Sequence, residues 1–223
     1  MLLCEHASRH IPAGYAGLGL SEGDLVRHIA WDIGAAEVTR QLSAALDAPA
    51  FLGTSSRLLI DLNRPLDSDS SIVVHSEDTA IPGNIGIDMA ERERRASEIF
   101  RPYHEQVGTC LDRRQAAGRP TRLVSIHSFT PVYLGEVRTW HAGVLFDQAV
   151  AFGEAMVARL QAPGLNVGAN VPYQSGRTSD YGVPVHGDDR GIPAILIEIR
   201  QDLIGEAAGV ADWARRLADA LGD

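Results

Sequence analysis

Short apolar segments that alternate with helical segments constrain the fold of this chain more than any other feature. Strands are predicted at the apolar start MLLC (1–4) and at 48–53, 56–63, 121–129, 142–147 and 192–200. These segments are apolar throughout and do not alternate between apolar and polar residues. Such strands are typical of a sheet whose two faces are both covered by helices.

Helical spacing of apolar residues accounts for much of the chain between the strands. It predicts helices at 24–46, 88–118, 149–162 and 205–221, and loops at 65–87 and 165–191. The order of these elements predicts an α/β protein, a three-layer α/β/α sandwich with a mixed central sheet. The length of 223 residues is compatible with one domain, which we expect to span 1–223.

The composition excludes several classes of function. A formal net charge of −9 argues against a protein that binds nucleic acid by neutralising phosphates. Lys is absent, which excludes a Schiff-base lysine and a phosphate-loop lysine. No apolar run could span a bilayer and no signal-peptide pattern is present, so we expect a cytoplasmic protein without a membrane partner. In that compartment Cys4 and Cys110 are expected to be reduced and buried.

Two histidines stand where apolar strands end, His6 after the first strand and His127 at the end of a central one. Open α/β sheets bind ligands at the carboxyl ends of their strands. A catalytic zinc ion has three protein ligands and one open position. Asp32 is the preferred third ligand, and Glu5 is the alternative. As competing interpretations, either histidine is a core residue, and Asp32 compensates helix charge or bonds to a loop.

Glu198 interrupts the apolar run AILIEI in the last predicted strand. A carboxylate inside a strand is costly unless it is paired or neutralised. One interpretation is a general base beside a zinc-bound water, with a pKa tuned by burial. The other is a buried structural pair with Arg200, two residues later on the same face.

The segment SRLLIDLNRPLD (56–67) ends an apolar run with Asn63 and Arg64. A guanidinium fixed at a strand end can hold a carboxylate through two hydrogen bonds or stabilise an oxyanion, and the neighbouring Asn can orient the same substrate. Alternatively, both residues only cap a turn, with Arg64 paired to Asp61 or Asp67.

These residues, in this order, resemble the N-formylglutamate amidohydrolase family. The segments that carry the resemblance are CEHASRHIP, HIAWDIGAA, SRLLIDLNRP, YHEQV, SIHSFTP and GRTSDYGVPVHGDDRGIPAILIEIRQDLI. The resemblance implies hydrolysis of N-formyl-L-glutamate to glutamate and formate, in histidine degradation. That family is in turn similar to the zinc carboxypeptidase and aspartoacylase group, which implies a phosphorylase/hydrolase-like sandwich with a zinc site.

The resemblance also implies roles for particular residues. DLNR (61–64) matches the substrate-binding Asn-Arg segment of that group, IHS (126–128) matches its later histidine ligand, and IEIR (197–200) matches the strand that carries its base. The first ligand pair departs from the pattern, because a His-x-x-Glu motif that begins at His6 would need a carboxylate where Arg9 stands. Asp32 in WDIGAA is the proposed substitute.

Further candidates for substrate binding lie near the predicted strand ends and in the loop 176–191. Ser128 follows His127 directly, and the loop offers Arg177, Tyr181, His186 and Arg190. Gly flanks both arginines, which makes them the preferred pair for a substrate carboxylate. His104 and Arg57 are weaker candidates, and His104 is expected on the polar side of its helix.

The sequence therefore predicts a zinc-dependent amidohydrolase with one zinc ion per chain, although other divalent metals suit the same ligands. His6, Asp32 and His127 hold the metal, Glu198 is the base, Arg64 shares the oxyanion, and the substrate is a small N-acyl amino acid. Two alternatives remain open. One is a zinc peptidase or cell-wall amidase on the same scaffold. The other is a metal-free protein that binds an acidic metabolite through Arg64, Arg177 and Arg190.

Overall fold

The apolar segments assemble into a six-stranded sheet in a computed structural model that describes residues 1–161 and 164–222. The strands are β1 (Leu2–Cys4), β2 (Ala50–Leu52), β3 (His75–Ser76), β4 (Thr79–Ala80), β5 (Leu123–Phe129), β6 (Val132–Tyr133), β7 (Glu136–Val137), β8 (Ala142–Leu145), β9 (Val167–Ala169) and β10 (Ala194–Arg200). The large sheet has the order β2-β1-β5-β10-β8-β9. Only the β10–β8 pairing within it is antiparallel, so the sheet is mixed, as predicted.

Helices cover both faces of this sheet. They are α1 (Glu22–Leu25), α2 (Ala35–Leu46), α3 (Met89–Arg95), α4 (Arg101–Ala116), α5 (Val150–Leu160), α6 (Gly182–His186) and α7 (Ala207–Leu221). A π-helical turn, Ala96–Phe100, joins α3 to α4. Short 3-10 segments lie at Ala13–Gly19, Asp69–Ser71, Pro82–Asn84, Asp188–Arg190 and Gln201–Leu203. Within the described residues, no helix has both the length and the apolar character needed to cross a bilayer.

Two apolar cores confirm the three-layer arrangement. On one face α2, α5 and α7 pack against side chains such as Ile195 and Ile197 of β10. On the other face α4 and α6 pack against side chains such as Leu3 and Leu196. The helix predicted at 149–162 is observed as α5, and the end of that prediction, Ala162, lies outside the described residues. Cys4 is buried, Cys110 is only half-buried, and both are free thiols.

The helix predicted at 24–46 is wrong in its first half. α1 ends at Leu25 and α2 begins at Ala35, with turns between them. Gly34 precedes α2 with a φ of 81°, where a side chain would be strained and a Cβ would lie 2.2 Å from the carbonyl oxygen of Ile204. Asp32 therefore lies in a turn, and its backbone N–H donates to the carbonyl of His6 at 3.0 Å.

The strand predicted at 56–63 is also wrong, because this buried segment forms turns. Its carbonyl groups are satisfied by side chains instead of a neighbouring strand. Asn84 donates to the carbonyl of Leu58 at 2.8 Å, and the buried Arg95 donates to that of Leu59 at 2.9 Å. An apolar run predicts burial, but periodicity alone does not fix its backbone conformation. The segment is held over the carboxyl edge of the sheet by these contacts.

The helix predicted at 88–118 is confirmed as the nearly continuous run of α3, the π-helical turn and α4. The expectation for His104 is wrong, since its ring is buried. It packs against the rings of Phe100, Tyr103 and Tyr181. The predicted loop 65–87 contains 3-10 turns and the small hairpin β3–β4 but no longer element. The predicted loop 165–191 contains the strand β9, the helix α6 and a 3-10 turn.

Candidate metal centre and substrate pocket

His6, Asp32 and His127 meet at the carboxyl edge of the sheet. His6 follows β1, Asp32 lies in the turn before α2, and His127 is in β5. Asp32 Oδ2 lies 2.9 Å from His127 Nδ1 and 3.3 Å from His6 Nδ1. All three residues are buried, and one ligand atom from each lies within 4.8 Å of the others. This is the arrangement of a site for one cation.

A carboxylate engages the outer nitrogen of each histidine. His127 Nε2 lies 3.0 Å from Glu5 Oε2, and His6 Nε2 lies 2.7 Å from Asp61 Oδ1. Histidines that bind metals usually donate their other ring nitrogen to such a carboxylate, which fixes the tautomer and the ring orientation. Glu5, the alternative metal ligand in the sequence, thus lies on the far side of the His127 ring from Asp32.

The hydrogen-bond network tests whether these residues fit a metal. With Nε2–H of both rings donated to Glu5 and Asp61, each Nδ1 carries a lone pair that faces the same oxygen of Asp32. Three lone pairs can converge in this way only if a proton or a cation lies among them. Two imidazole nitrogens and a carboxylate oxygen, with a position left open, are the donor set of a catalytic zinc site. The residues fit the ion.

The same closeness explains the charge states of the group. Burial by itself would raise the pKa of the Asp32 carboxyl, but the adjacent His6 and His127 rings outweigh it and hold that pKa well below its usual range. Burial would lower the pKa of His127, but hydrogen bonds to Asp32 and Glu5 raise it well above the ordinary value. The carboxylates of Asp32 and Glu5 therefore favour a positive charge on the His127 ring.

Glu198 lies beside this group on β10, in register with His127 on β5. It is 7% exposed, lines the pocket, and its Oε2 has no hydrogen-bond partner among the described residues. Burial raises the pKa of its carboxyl to about 7, and the positive His127 offsets only part of that effect. The structural pair with Arg200 does not form, because Arg200 Nε donates to Asp202 at 2.8 Å.

Arg57 is the guanidinium nearest to the metal group. Its Nε and Nη2 donate to Asp61 Oδ2 at 3.0 and 2.7 Å, and its Nη1 donates to Asp32 Oδ1 at 3.4 Å. The side chain is about one-quarter exposed and lines the pocket. Arg57 was only a weak candidate from sequence, because it lies near the start of the apolar segment 56–63, which was predicted to be a strand.

Arg64 also lines the pocket, and one edge of its guanidinium is held by neighbouring polar groups. Nη1 donates to Asp180 Oδ1 at 3.1 Å and to the carbonyl oxygens of Asn63 and Ser179. Among the described residues, Nε and Nη2 have no hydrogen-bond partner. The free edge suits a carboxylate. Neither Asp61 nor Asp67 pairs with this side chain, so the simple turn-cap interpretation does not hold.

Asn63 has a structural position in the wall of the pocket. Its Oδ1 accepts hydrogen bonds from the backbone N–H groups of Tyr181 and Gly182, at 3.1 and 2.9 Å, and its Nδ2 donates to Asp180 at 3.2 Å. Ser128 is similarly engaged, since its hydroxyl donates to the carbonyl of Ile33 at 2.9 Å. Both side chains border the pocket with their polar groups already paired.

The structure does not bring the loop residues expected for substrate binding into the pocket. Arg177 is exposed and paired with Asp189, and Arg190 is paired with Asp112 on α4. Tyr181 packs its ring on His104, with 4.4 Å between the ring centroids. Loop residues follow no periodicity, so the flanking glycines were a poor guide to where these side chains point.

His104 and His186 form a second histidine pair, away from the metal group. His104 Nε2 donates to the carbonyl of Leu62 at 2.9 Å, and its Nδ1 lies 2.9 Å from His186 Nε2. Burial lowers the pKa of His104 to about 4 and that of His186 to about 3. Both rings are therefore neutral at pH 7 and help to hold the segment that carries Asn63 and Arg64.

The pocket around the metal group has a volume of about 420 Å³. Its walls include residues that the sequence did not single out: His28, Ile29, Leu58, Val73, Ser76, Glu77, Thr130, Tyr133, Tyr173, Gln174, Ser179 and Asp180. Val73, Ser76 and Glu77 of this set lie in the long connection 65–87. Its length was the only indication from sequence, since long loops in compact domains are often functional.

Comparisons with known proteins agree with this architecture. The family model for N-formylglutamate amidohydrolase matches residues 1–205. The crystal structure of gene product Atu2144 from Agrobacterium tumefaciens is 41% identical, with a TM-score of 0.96 over 100% of this chain and 88% of that one. N-formylglutamate amidohydrolase from Ralstonia eutropha JMP134 is 18% identical, with a TM-score of 0.62 over 98% and 90% of the two chains, a likeness of fold alone. No curated protein matches the chain.

Proposed function

Because this chain belongs to the N-formylglutamate amidohydrolase family, we propose that it hydrolyses the amide bond of an N-acyl amino acid with a divalent cation held by His6, Asp32 and His127. The observation that carries the proposal is that Nδ1 of His6 and Nδ1 of His127 both approach one Asp32 oxygen, at 3.3 and 2.9 Å, with both outer nitrogens engaged by carboxylates. Zinc is the preferred ion because this donor set is typical of catalytic zinc.

A divalent cation in this position would supply a Lewis acid that polarises the scissile carbonyl and lowers the pKa of a water molecule. The protein contributes the geometry. Glu5 and Asp61 orient the two rings, and the amide N–H of Ser128 donates to Asp32 Oδ2 at 3.2 Å. These contacts keep the ligand atoms in place before the ion or the substrate arrives.

Glu198 is the general base in this proposal. A carboxyl group with a pKa of about 7 can accept a proton from the attacking water and then donate it to the leaving nitrogen. Its register opposite His127 supports the role, and so does the absence of a partner for Oε2 within the described chain.

The two pocket arginines take different roles. Arg57 contacts Asp32 and so lies beside the metal group, where negative charge would develop on the carbonyl oxygen. We assign Arg57 the role of stabilising that oxyanion. Arg64 was expected to share that charge, but one edge of its guanidinium is held by Asn63, Ser179 and Asp180 and not by the metal group. We assign its free Nε–Nη2 edge to a carboxylate of the amino acid.

The proposal is tested with protein purified without added metal. We expect about one divalent ion per chain by elemental analysis, and release of formate from N-formyl-L-glutamate, the family's namesake substrate. His127→Ala should lose both the ion and the activity. His10→Ala, which removes an exposed imidazole, is the matched control and should retain both. A wild-type protein that binds no divalent ion after zinc addition, and hydrolyses no N-acyl amino acid, would exclude the proposal.

A further inference from the structure

The pocket extends beyond the metal group into a second region, which we call the Glu77 arm. It is lined by His28, Ile29, Leu58, Val73, Ser76 and Glu77. Three of these side chains are aliphatic, and the other three are polar. None of the six has a role in the reaction described above.

The Glu77 arm and the free edge of Arg64 belong to different walls. Glu77 is paired with Arg27 and lies beside His28, and both of these residues come between β1 and α2. Arg64 is held instead by Ser179 and Asp180, which follow β9. With its carboxylate on Arg64 and its amide at the metal group, a substrate would leave its acyl group free to extend toward the Glu77 arm.

Carboxylates outnumber cations around the Glu77 arm. Glu77 is mostly buried, with a 14% exposed side chain, and its Oε2 accepts from Arg27 Nη2 at 3.0 Å. Arg27 is shared with Asp24, whose Oδ1 accepts from Nη1 at 3.2 Å. His28 Nε2 lies 3.4 Å from Glu77 Oε1, and burial lowers the pKa of this ring, so it is neutral at pH 7. Asp78 Oδ1 also lies 3.7 Å from Arg27 Nη2, so one guanidinium faces three carboxylates.

The other cation near the arm is Arg57, which is held beside the metal group and is assigned to the oxyanion in the proposed function. Arg57 makes three hydrogen bonds, all of them to Asp61 and Asp32. A second carboxylate on the acyl side would meet Glu77 without a free guanidinium to receive it. An amino group would instead find the Glu77 carboxylate, with Ile29, Leu58 and Val73 to contact the methylene groups that lead to it.

We infer that the Glu77 arm binds the acyl half of the substrate, and that this acyl group is longer than formyl and carries an amino group, as in a short peptide. The inference rests on the proposed function for its reaction. In that reaction the amide C–N bond breaks, the acyl carbon gains the hydroxyl of water, and the leaving nitrogen gains the proton. A formyl group would leave the arm empty. The whole pocket, of about 420 Å³, has the size of a site for a larger small molecule.

The test compares acyl groups on one common amino acid, L-glutamate. The panel contains formyl, butyryl, succinyl, glycyl, β-alanyl and 4-aminobutyryl groups. We expect the best amine-bearing compound to exceed formyl and butyryl by about 10-fold or more in kcat/KM, which is the scale of a hydrogen bond to a charged group. Succinyl, which carries a carboxylate, should be the poorest of the longer groups.

Glu77→Gln identifies the group responsible. The ratio of kcat/KM for the amine-bearing compound to that for butyryl should fall by about 10-fold. Glu154→Gln is the matched control, because this glutamate is exposed on α5 and does not line the pocket. It should leave the ratio unchanged. A formyl preference over every longer group, or an unchanged ratio in Glu77→Gln, would overturn the inference.

Calorimetric binding separates this inference from the proposed function. The same compounds are titrated into wild-type protein and Glu77→Gln. If nothing is hydrolysed but the amine-bearing compound binds more tightly, and only when Glu77 is present, the arm is correctly assigned and the reaction is not. If hydrolysis occurs without any preference for the amine in binding or turnover, the reaction stands and the assignment of the arm fails.

Discussion

Glu5 Oε2 lies 3.0 Å from His127 Nε2, on the opposite side of the imidazole from Asp32. Glu5 Oε2 also accepts a hydrogen bond from the Ser125 hydroxyl at 2.5 Å. A hydrogen-bonded carboxylate in this position holds the ring so that Nδ1 points at the metal site, and it strengthens Nδ1 as a ligand.

Glu5→Gln should therefore weaken metal binding without removing a ligand. We expect the dissociation constant for zinc to rise by about 10–100-fold, the usual effect of replacing an outer partner of a metal-binding histidine. Competition with a zinc chelator measures it. Glu22→Gln is the control, since this glutamate is exposed at the start of α1. Equal zinc affinities in the two variants would contradict the role of Glu5.

Glu198→Gln should separate chemistry from metal binding. The amide cannot accept the proton from water, so kcat should fall by about 10²–10⁴-fold. The zinc content should stay at the wild-type level, because the carboxylate is not one of the three grouped ligands. Turnover and elemental analysis on the same preparation provide both values. Near-normal turnover would remove Glu198 from the mechanism.

Arg64→Ala should act mainly on substrate affinity. Loss of a guanidinium edge that binds a carboxylate removes a charged hydrogen bond, so KM should rise by about 10-fold or more, with a smaller change in kcat. Arg177→Ala is the matched control, because this arginine is exposed and paired with Asp189 outside the pocket. A KM that rises only in Arg177→Ala would reverse the assignment.

Acid should destabilise the fold through the second histidine pair. Burial lowers the pKa of His104 to about 4, whereas an unfolded histidine titrates near 6.5. Between these values the unfolded chain binds more protons, so stability is complete above about pH 6.5 and falls as the pH drops toward 4. At pH 5 the loss from His104 alone is about 2 kcal/mol.

Urea unfolding at pH 7.5 and pH 5 measures this loss. Because carboxylates titrate in the same range, the informative quantity is the difference between wild type and His104→Gln, which has no imidazole to protonate. The variant should lose less stability on acidification, by about 2 kcal/mol. An identical loss in the two proteins would show that the buried pair does not control acid stability.

The candidate metal centre was accessible from sequence because of a property of parallel sheets. Side chains at the carboxyl ends of β1 and β5 must lie on one edge, so the sequence alone predicts that His6 and His127 lie together. Glu198 was accessible because a carboxylate in an apolar strand needs an explanation. Asp32 was proposed as a ligand because it is a carboxylate. It was expected in a helix, but it begins the turn that precedes α2.

The pocket walls were not accessible in the same way. The segment 56–63 is apolar because it is buried under the loops, and nothing in its pattern distinguishes that burial from a place in the sheet. Arg57 was undervalued for this reason. The positions of Arg177, Arg190 and Glu77 depend on loop conformation, which is set by individual contacts and not by a repeating pattern.

Side chains, not strand pairing, hold the segment that carries Arg57 and Arg64. Asn84, Arg95 and His104 each donate to one of its carbonyl groups. Substitution of Asn84, Arg95 or His104 should therefore displace Arg57 and Arg64 together without shifting the register of β1, β5 and β10, which carry or directly precede His6, His127 and Glu198. Residues remote from the substrate would in this way control both pocket arginines, while the sheet alone positions His127 and Glu198.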